Sequence, residues 1–98
     1  MDFAECTRRI TEKVGTDSGL GAKLKFDCGE AGRIFIDGTA VPNKVSHDDA
    51  PADCTIKIAL ADLIALLEGT LEPTTGFMTG RFTVEGDIGV ALKLQRVI

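Results

Sequence analysis

The chain has 98 residues, enough for one domain with a modest core, and its 44% hydrophobic and 27% charged content is that of an ordinary globular protein. Lys and Arg number 11 against 15 Asp and Glu, a net charge of -4, and only Arg8-Arg9 are adjacent, so a basic footprint for nucleic acid or an anionic membrane is absent. Cys6, Cys28 and Cys54 are odd in number and far apart, which argues against a disulfide framework and fits a reducing compartment.

No apolar signal core opens the chain, and the closing "RVI" is not a peroxisomal or retention signal. The longest apolar run, "IALADLIALL" (58–67), falls far short of the ~20 residues a membrane helix needs and contains Asp62. A cytoplasmic protein is expected, with at most transient membrane contact.

Asp2 can cap a first helix, with Glu5 as its reciprocal partner. Phe3, Cys6, Ile10 and Val14 then form one apolar stripe, and Gly15 ends it. "LKFDC" alternates with Leu24, Phe26 and Cys28 on one face; "GEAG" turns the chain; "RIFID" returns with Ile34 and Ile36 inward and Phe35 outward. "TAVPNKVS" is a poor strand that Pro42 confines to a sheet edge. "CTIKI" alternates again, and "ALADLIALLEG" is a helix stopped by Gly69. Pro73 starts a short helix or turn carrying Phe77 and Met78. "RFTVE" is a strand, and Asp87 caps a last helix that carries Ile88, Val90, Ala91, Leu92, Leu94, Val97 and Ile98. This order describes an α+β fold with helices covering one face of a sheet.

Chemistry is sparse. "EGDIG" lacks the lysine and hydroxyl of a Walker loop, and Asp87 occupies the helix end that would attract phosphate. His47 is the only histidine and stands on a polar loop, so neither a metal site nor a nucleophile–His pair can be assembled around it. The cysteines lie on apolar faces and read as buried thiols. No catalytic residue, cofactor or metal is expected. The unusual feature is the last helix, apolar around most of its circumference, which needs something on both sides: core, a second subunit or a ligand.

Residues 52–94 resemble the sterol carrier protein type 2 domain, a lipid-transfer family. The resemblance rests on Ala52-Asp53, Thr55-Ile56, Gly69, Pro73, Phe77-Met78, Gly80, Gly86-Asp87, Ala91 and Leu94, all in register. Thr79 stands in place of the usual Ser, Ala59 in place of a capping Ser or Thr, and Gly76 in place of a helix former. Residues 39–51 are brief and unlike the family. The resemblance implies a single domain over residues 1–98, with a five-stranded, mainly antiparallel sheet, helices on one face and an apolar tunnel between them. It further implies non-catalytic binding or transfer of fatty acids, acyl-CoAs, phospholipids or sterols. Face assignment then nominates Ile64 and Leu67 from the central helix, and Phe77 and Met78 from the short element. It adds Ala91, Leu94 and Ile98 from the last helix, with Ile56, Phe82 and Val84 as a sheet floor. Two alternatives stay open. One is an accessory domain presenting an apolar intermediate, such as a quinone precursor, to a biosynthetic enzyme. The other is a homodimerising module.

Overall fold

The computed structural model describes residues 1–98. Helix α1 (Phe3–Val14) begins where Asp2 accepts a hydrogen bond from the Glu5 amide at 2.8 Å, and its Cys6, Ile10 and Val14 stripe is buried. Strand β1 (Lys23–Asp27) turns through Gly29–Ala31 into β2 (Arg33–Asp37). Then come β3 (Lys44–Ser46), β4 (Cys54–Ile58), α2 (Leu60–Glu68), α3 (Pro73–Met78), β5 (Phe82–Gly86) and α4 (Ile88–Ala91). A 3-10 turn at Leu94–Arg96 follows. No helix is long and apolar enough to cross a membrane.

The sheet runs in the order β3-β2-β1-β4-β5. β1 and β4 are parallel and the other neighbours antiparallel, so the expected five-stranded, mainly antiparallel sheet is present. Its inner face carries Leu24, Phe26, Ile34, Ile36, Cys54 and Ile56, all fully buried, with α1 and the Leu63 and Leu66 side of α2 packed into the same cluster.

Asp53 joins the parallel strands. Its carboxylate accepts from the Lys23 amide at 2.8 Å, and its carbonyl accepts from the Asp87 amide at 2.8 Å. That second contact brings β5 so close that a Cβ on Gly86 would stand 2.4 Å from the Asp53 carbonyl oxygen, and Gly86 has φ +97°. Only glycine fits there. Gly86-Asp87 is therefore a sheet-to-helix joint, with the Asp87 side chain accepting from the Gly89 amide at 2.8 Å.

Residues 39–51, the least legible stretch, are organised by a side chain. Asn43 is buried, accepts from the Ser18 amide at 2.8 Å and the Ser18 hydroxyl at 2.7 Å, and donates to the Ala40 carbonyl. It ties the turn after α1 to the start of β3. Pro42 lies just outside β3, which is an edge strand. Beyond it the chain returns across the outer face, where Lys25 Nζ donates to Asp49 at 2.9 Å and to the Ala50 carbonyl at 3.1 Å. That bond holds the Asp49 carboxyl below its ordinary pKa. Phe35, the cross-strand partner of Lys25, is buried although it points to the outer face.

The last helix departs from expectation. Its α-helical part ends at Ala91 instead of running toward the end of the chain. Gly89 lies in its first turn, and glycine there costs about 1 kcal/mol relative to alanine. Val90, Leu94 and Val97 are buried, whereas Ile88 and Leu92 are exposed.

Candidate functional site

The apolar opening of the molecule lies where α3, β5 and α4 meet. Two sheet residues make its floor. Phe82 is paired with Ile58 and Val84 with Ile56 on β4, which puts both on the inner face. Phe82 is buried and Val84 only partly so, because no long helix crosses β5. One wall is α3, whose Phe77 ring lies 6.3 Å from that of Phe82. The other wall is the start of α4 and the turn beyond it. Together these elements enclose a partly open cavity of about 280 Å³ lined by Pro73, Thr74, Phe77, Phe82, Val84, Ile88, Ala91, Leu92, Leu94 and Gln95.

Gly76 explains how α3 sits so close to the sheet. A Cβ there would come within 2.7 Å of the Phe82 ring and 3.3 Å of Leu71. Gly76, which stands in place of a helix former, is buried and lets the helix backbone lie against Phe82. The missing cap expected at Ala59 is real: it begins α2 without a side-chain hydrogen bond.

The structure gathers Phe77, Phe82, Val84, Ala91 and Leu94 around the cavity. It separates the other nominated residues from it. Ile56 is fully buried beneath the helices, a neighbour of Val84 and not a lining residue. Ile64, Leu67 and Ile98 are partly buried and packed against the core. Met78 is 79% exposed, since its position at the end of α3 turns it away from Phe82. Pro73, Thr74, Ile88, Leu92 and Gln95 were missed. Ile88, Ala91, Leu92 and Gln95 follow i, i+3, i+4, i+7 spacing, the mark of one helical face. Splitting the last segment into that face and the buried Val90–Leu94–Val97 face picks out Ile88, Leu92 and Gln95, whereas Pro73 and Thr74 on α3 carry no such signal.

The cavity is a groove partly open to solvent, not fully enclosed. A four-residue α4 makes too short a wall, and Leu92 stands outward at 81% exposure. A second, shallower depression lies at the carboxyl ends of β1 and β4. It is lined by Asp27, Cys28, Gly29, Lys57, Ile58 and Ala59. Burial pushes the Cys28 thiol up to about 11, with Cys6 and Asp27 adding to the shift, so it is not a poised nucleophile near neutral pH. Burial also raises Cys6 and Cys54. His47 pairs with the Thr7 hydroxyl at 2.9 Å and stacks obliquely on Phe3, far along the fold from the groove.

The family model described as the SCP-2 sterol transfer family matches residues 12–98. Sterol carrier protein 2 of Bos taurus is 42% identical over 60 residues, covering 61% of this chain and 10% of that protein. The chain thus spans about a tenth of the length of that relative. The solution structure of palmitated SCP2L2 from Aedes aegypti matches with a TM-score of 0.70 at 23% identity, over 99% of this chain and 94% of that one. The UbiJ-SCP2 ubiquinone synthesis protein has the same fold, with a TM-score of 0.57 at 19% identity over 96% of this chain and 76% of that one. The chain belongs to the SCP-2 sterol transfer family.

Proposed function

We propose that this member of the SCP-2 sterol transfer family is one lipid-binding domain over residues 1–98. It holds an apolar molecule between α3, β5 and α4 without making or breaking bonds in it. The observation that carries this is the groove itself: about 280 Å³, with 7 of its 10 lining residues hydrophobic and Phe77, Ile88 and Leu92 left exposed at its edge. Apolar surface displayed around a concavity gains by being covered, at roughly 25 cal/mol per Å². Phe77, Phe82, Val84, Ala91 and Leu94 would touch the ligand. Ile56, Ile64, Leu67 and Ile98 would support the walls from behind, and Met78 would lie outside. Free buried thiols at Cys6, Cys28 and Cys54 fit a cytoplasmic setting.

A second reading is that the domain presents its ligand to an enzyme. The exposed rim of Phe77, Ile88 and Leu92 favours it, because such a rim seats a partner as well as a ligand.

Native mass spectrometry of the freshly purified protein, followed by displacement of the neutral dye Nile red with a lipid extract, tests the common core of both readings. A bound lipid mass or saturable displacement is expected. A bare chain or bare dimer that takes up neither dye nor lipid refutes both readings and leaves the dimerising module. Pull-down of a biosynthetic enzyme by the loaded domain separates presentation from free transfer.

A further inference from the structure

The sheet has a free edge at each end, and the two are built differently. β3 is three residues long and follows Pro42 and the Asn43 tie, so it offers little backbone to a neighbour. β5 is five residues long, its register on β4 is continuous, and its sequence carries no proline and no inward charge. None of the usual devices that blunt an edge is present on it.

The last rung of β5 fixes its hydrogen-bonding phase. Asp87 donates to the Asp53 carbonyl at 2.8 Å, and bonded and non-bonded pairs alternate from there. Thr55 with Glu85 and Lys57 with Thr83 are the bonded pairs, so Phe82, Val84 and Gly86 turn their N–H and C=O groups to the free side. Residues 80–86, "GRFTVEG", complement themselves when reversed. Laid antiparallel on a second copy and centred on Thr83, Phe82 stands opposite Val84, Arg81 opposite Glu85 and Gly80 opposite Gly86. Each of these pairs forms twice. Phe82 and Val84, whose main-chain groups are free, then exchange both bonds. Sliding the copies by one residue breaks this phase, and sliding by two restores the phase but parts Arg81 from Glu85.

We propose that β5 pairs with β5 of a second copy of this chain, antiparallel and centred on Thr83, joining the two sheets into one. The pairing goes beyond the lipid-binding reading and stands whether or not the groove holds a ligand. Both copies keep their helices on the same side, so the Phe82 and Val84 floors of the two grooves become neighbours. Arg81 and Glu85 are both exposed. Arg81 bonds Asp62 through Nε and Nη2, which leaves Nη1 for Glu85 of the second copy. Glu85 meets Lys57 at 3.3 Å in an exposed ion pair, which is readily exchanged.

A single short strand makes a small interface, so the dimer is weak, with a Kd on the order of 10–100 µM. Sedimentation between roughly 5 and 500 µM reads it. Glu85→Arg sets like charges opposite each other twice and should weaken the dimer at least about tenfold, as should Arg81→Glu. The double variant, with the charges exchanged, should return to within about threefold of the native Kd. A thiol pair measures the register independently and keeps the test readable should a charge variant fail to fold. In Thr83→Cys the opposed Cα atoms stand about 4.5 Å apart, within disulfide reach, and mild oxidation should give a linked dimer. In Glu85→Cys the two thiols lie roughly 14 Å apart and should not link. The native cysteines are buried and free. A monomer at the highest concentration overturns the proposal. So does a dimer indifferent to both single charge variants, or one that cross-links equally from positions 83 and 85.

Discussion

Over β1, β2 and the start of β4 the inner sheet face is sealed. Leu24, Phe26, Ile34, Ile36, Cys54 and Ile56 have no accessible surface beneath α1 and α2. Over β5 residues of the same kind remain open: Phe77 and Ile88 are 51% exposed, and the floor residue Val84 is only partly covered. The difference is helix length. α1 has 12 residues and α2 has 9, whereas α3 has 6 and α4 has 4. At 1.5 Å per residue α1 is ~18 Å long, about the ~17 Å of a five-residue strand, and α4 is only ~6 Å. A helix as long as the strand beneath it closes the layer. A single turn leaves a gap, and the gap takes its shape from what stands beside it. The groove is thus produced by covering elements that stop early, and it can exist because the other end of the sheet supplies the core.

This contrast predicts unequal responses to the same mutation. Phe26→Ala should destabilise by about 3–5 kcal/mol, because it leaves a void under two helices. Phe77→Ala should cost less than ~1 kcal/mol, since that ring is already half in water, and should act on ligand binding instead. Urea unfolding of the two variants checks this, and similar losses would mean that the groove end is as structural as the core. The next effect in size comes from filling the gap. A ligand present at about a hundred times its Kd should add ~2.7 kcal/mol by mass action. In a domain of this size that raises Tm by roughly 10–20 °C, readable by calorimetry. A groove that merely collapses would show no such rise.

The two ends also differ in how far the sequence discloses them. Period-two alternation placed Leu24, Phe26, Ile34, Ile36, Cys54 and Ile56 on one face, and the α1 stripe placed Cys6, Ile10 and Val14 opposite them, because sealed layers force a clean pattern. The family and fold were legible through Gly86-Asp87, Pro73 and Phe77-Met78. The groove was legible only in part. Once a helix breaks after one turn, buried and exposed apolar positions alternate without a polar face to mark the boundary. Leu92 and Leu94 therefore look alike in sequence, and one is nearly fully exposed while the other is buried. Met78 was nominated beside Phe77, but neighbouring helical positions do not share a face. Asn43 was missed for another reason. Its side chain accepts two hydrogen bonds from Ser18, a residue distant in the chain. No local pattern encodes such bonds.

Gly76 stands on the boundary between the two regions, and its substitution sharpens the contrast at the smallest energetic scale. Alanine gains about 1 kcal/mol of helix propensity over glycine within α3. Against this, its methyl group would meet the Phe82 ring at 2.7 Å, and overpacking typically costs ~1–3 kcal/mol. In the sealed region a displaced ring has nowhere to go and the full cost would appear. Here Phe82 borders the groove, so its ring can swing outward into free volume. Gly76→Ala should therefore change stability by no more than about 1 kcal/mol while narrowing the groove and weakening ligand binding several-fold. The decisive measurement is dye displacement alongside urea unfolding. A large stability loss with unchanged affinity would show that Phe82 is locked like the core, and that the groove floor is rigid.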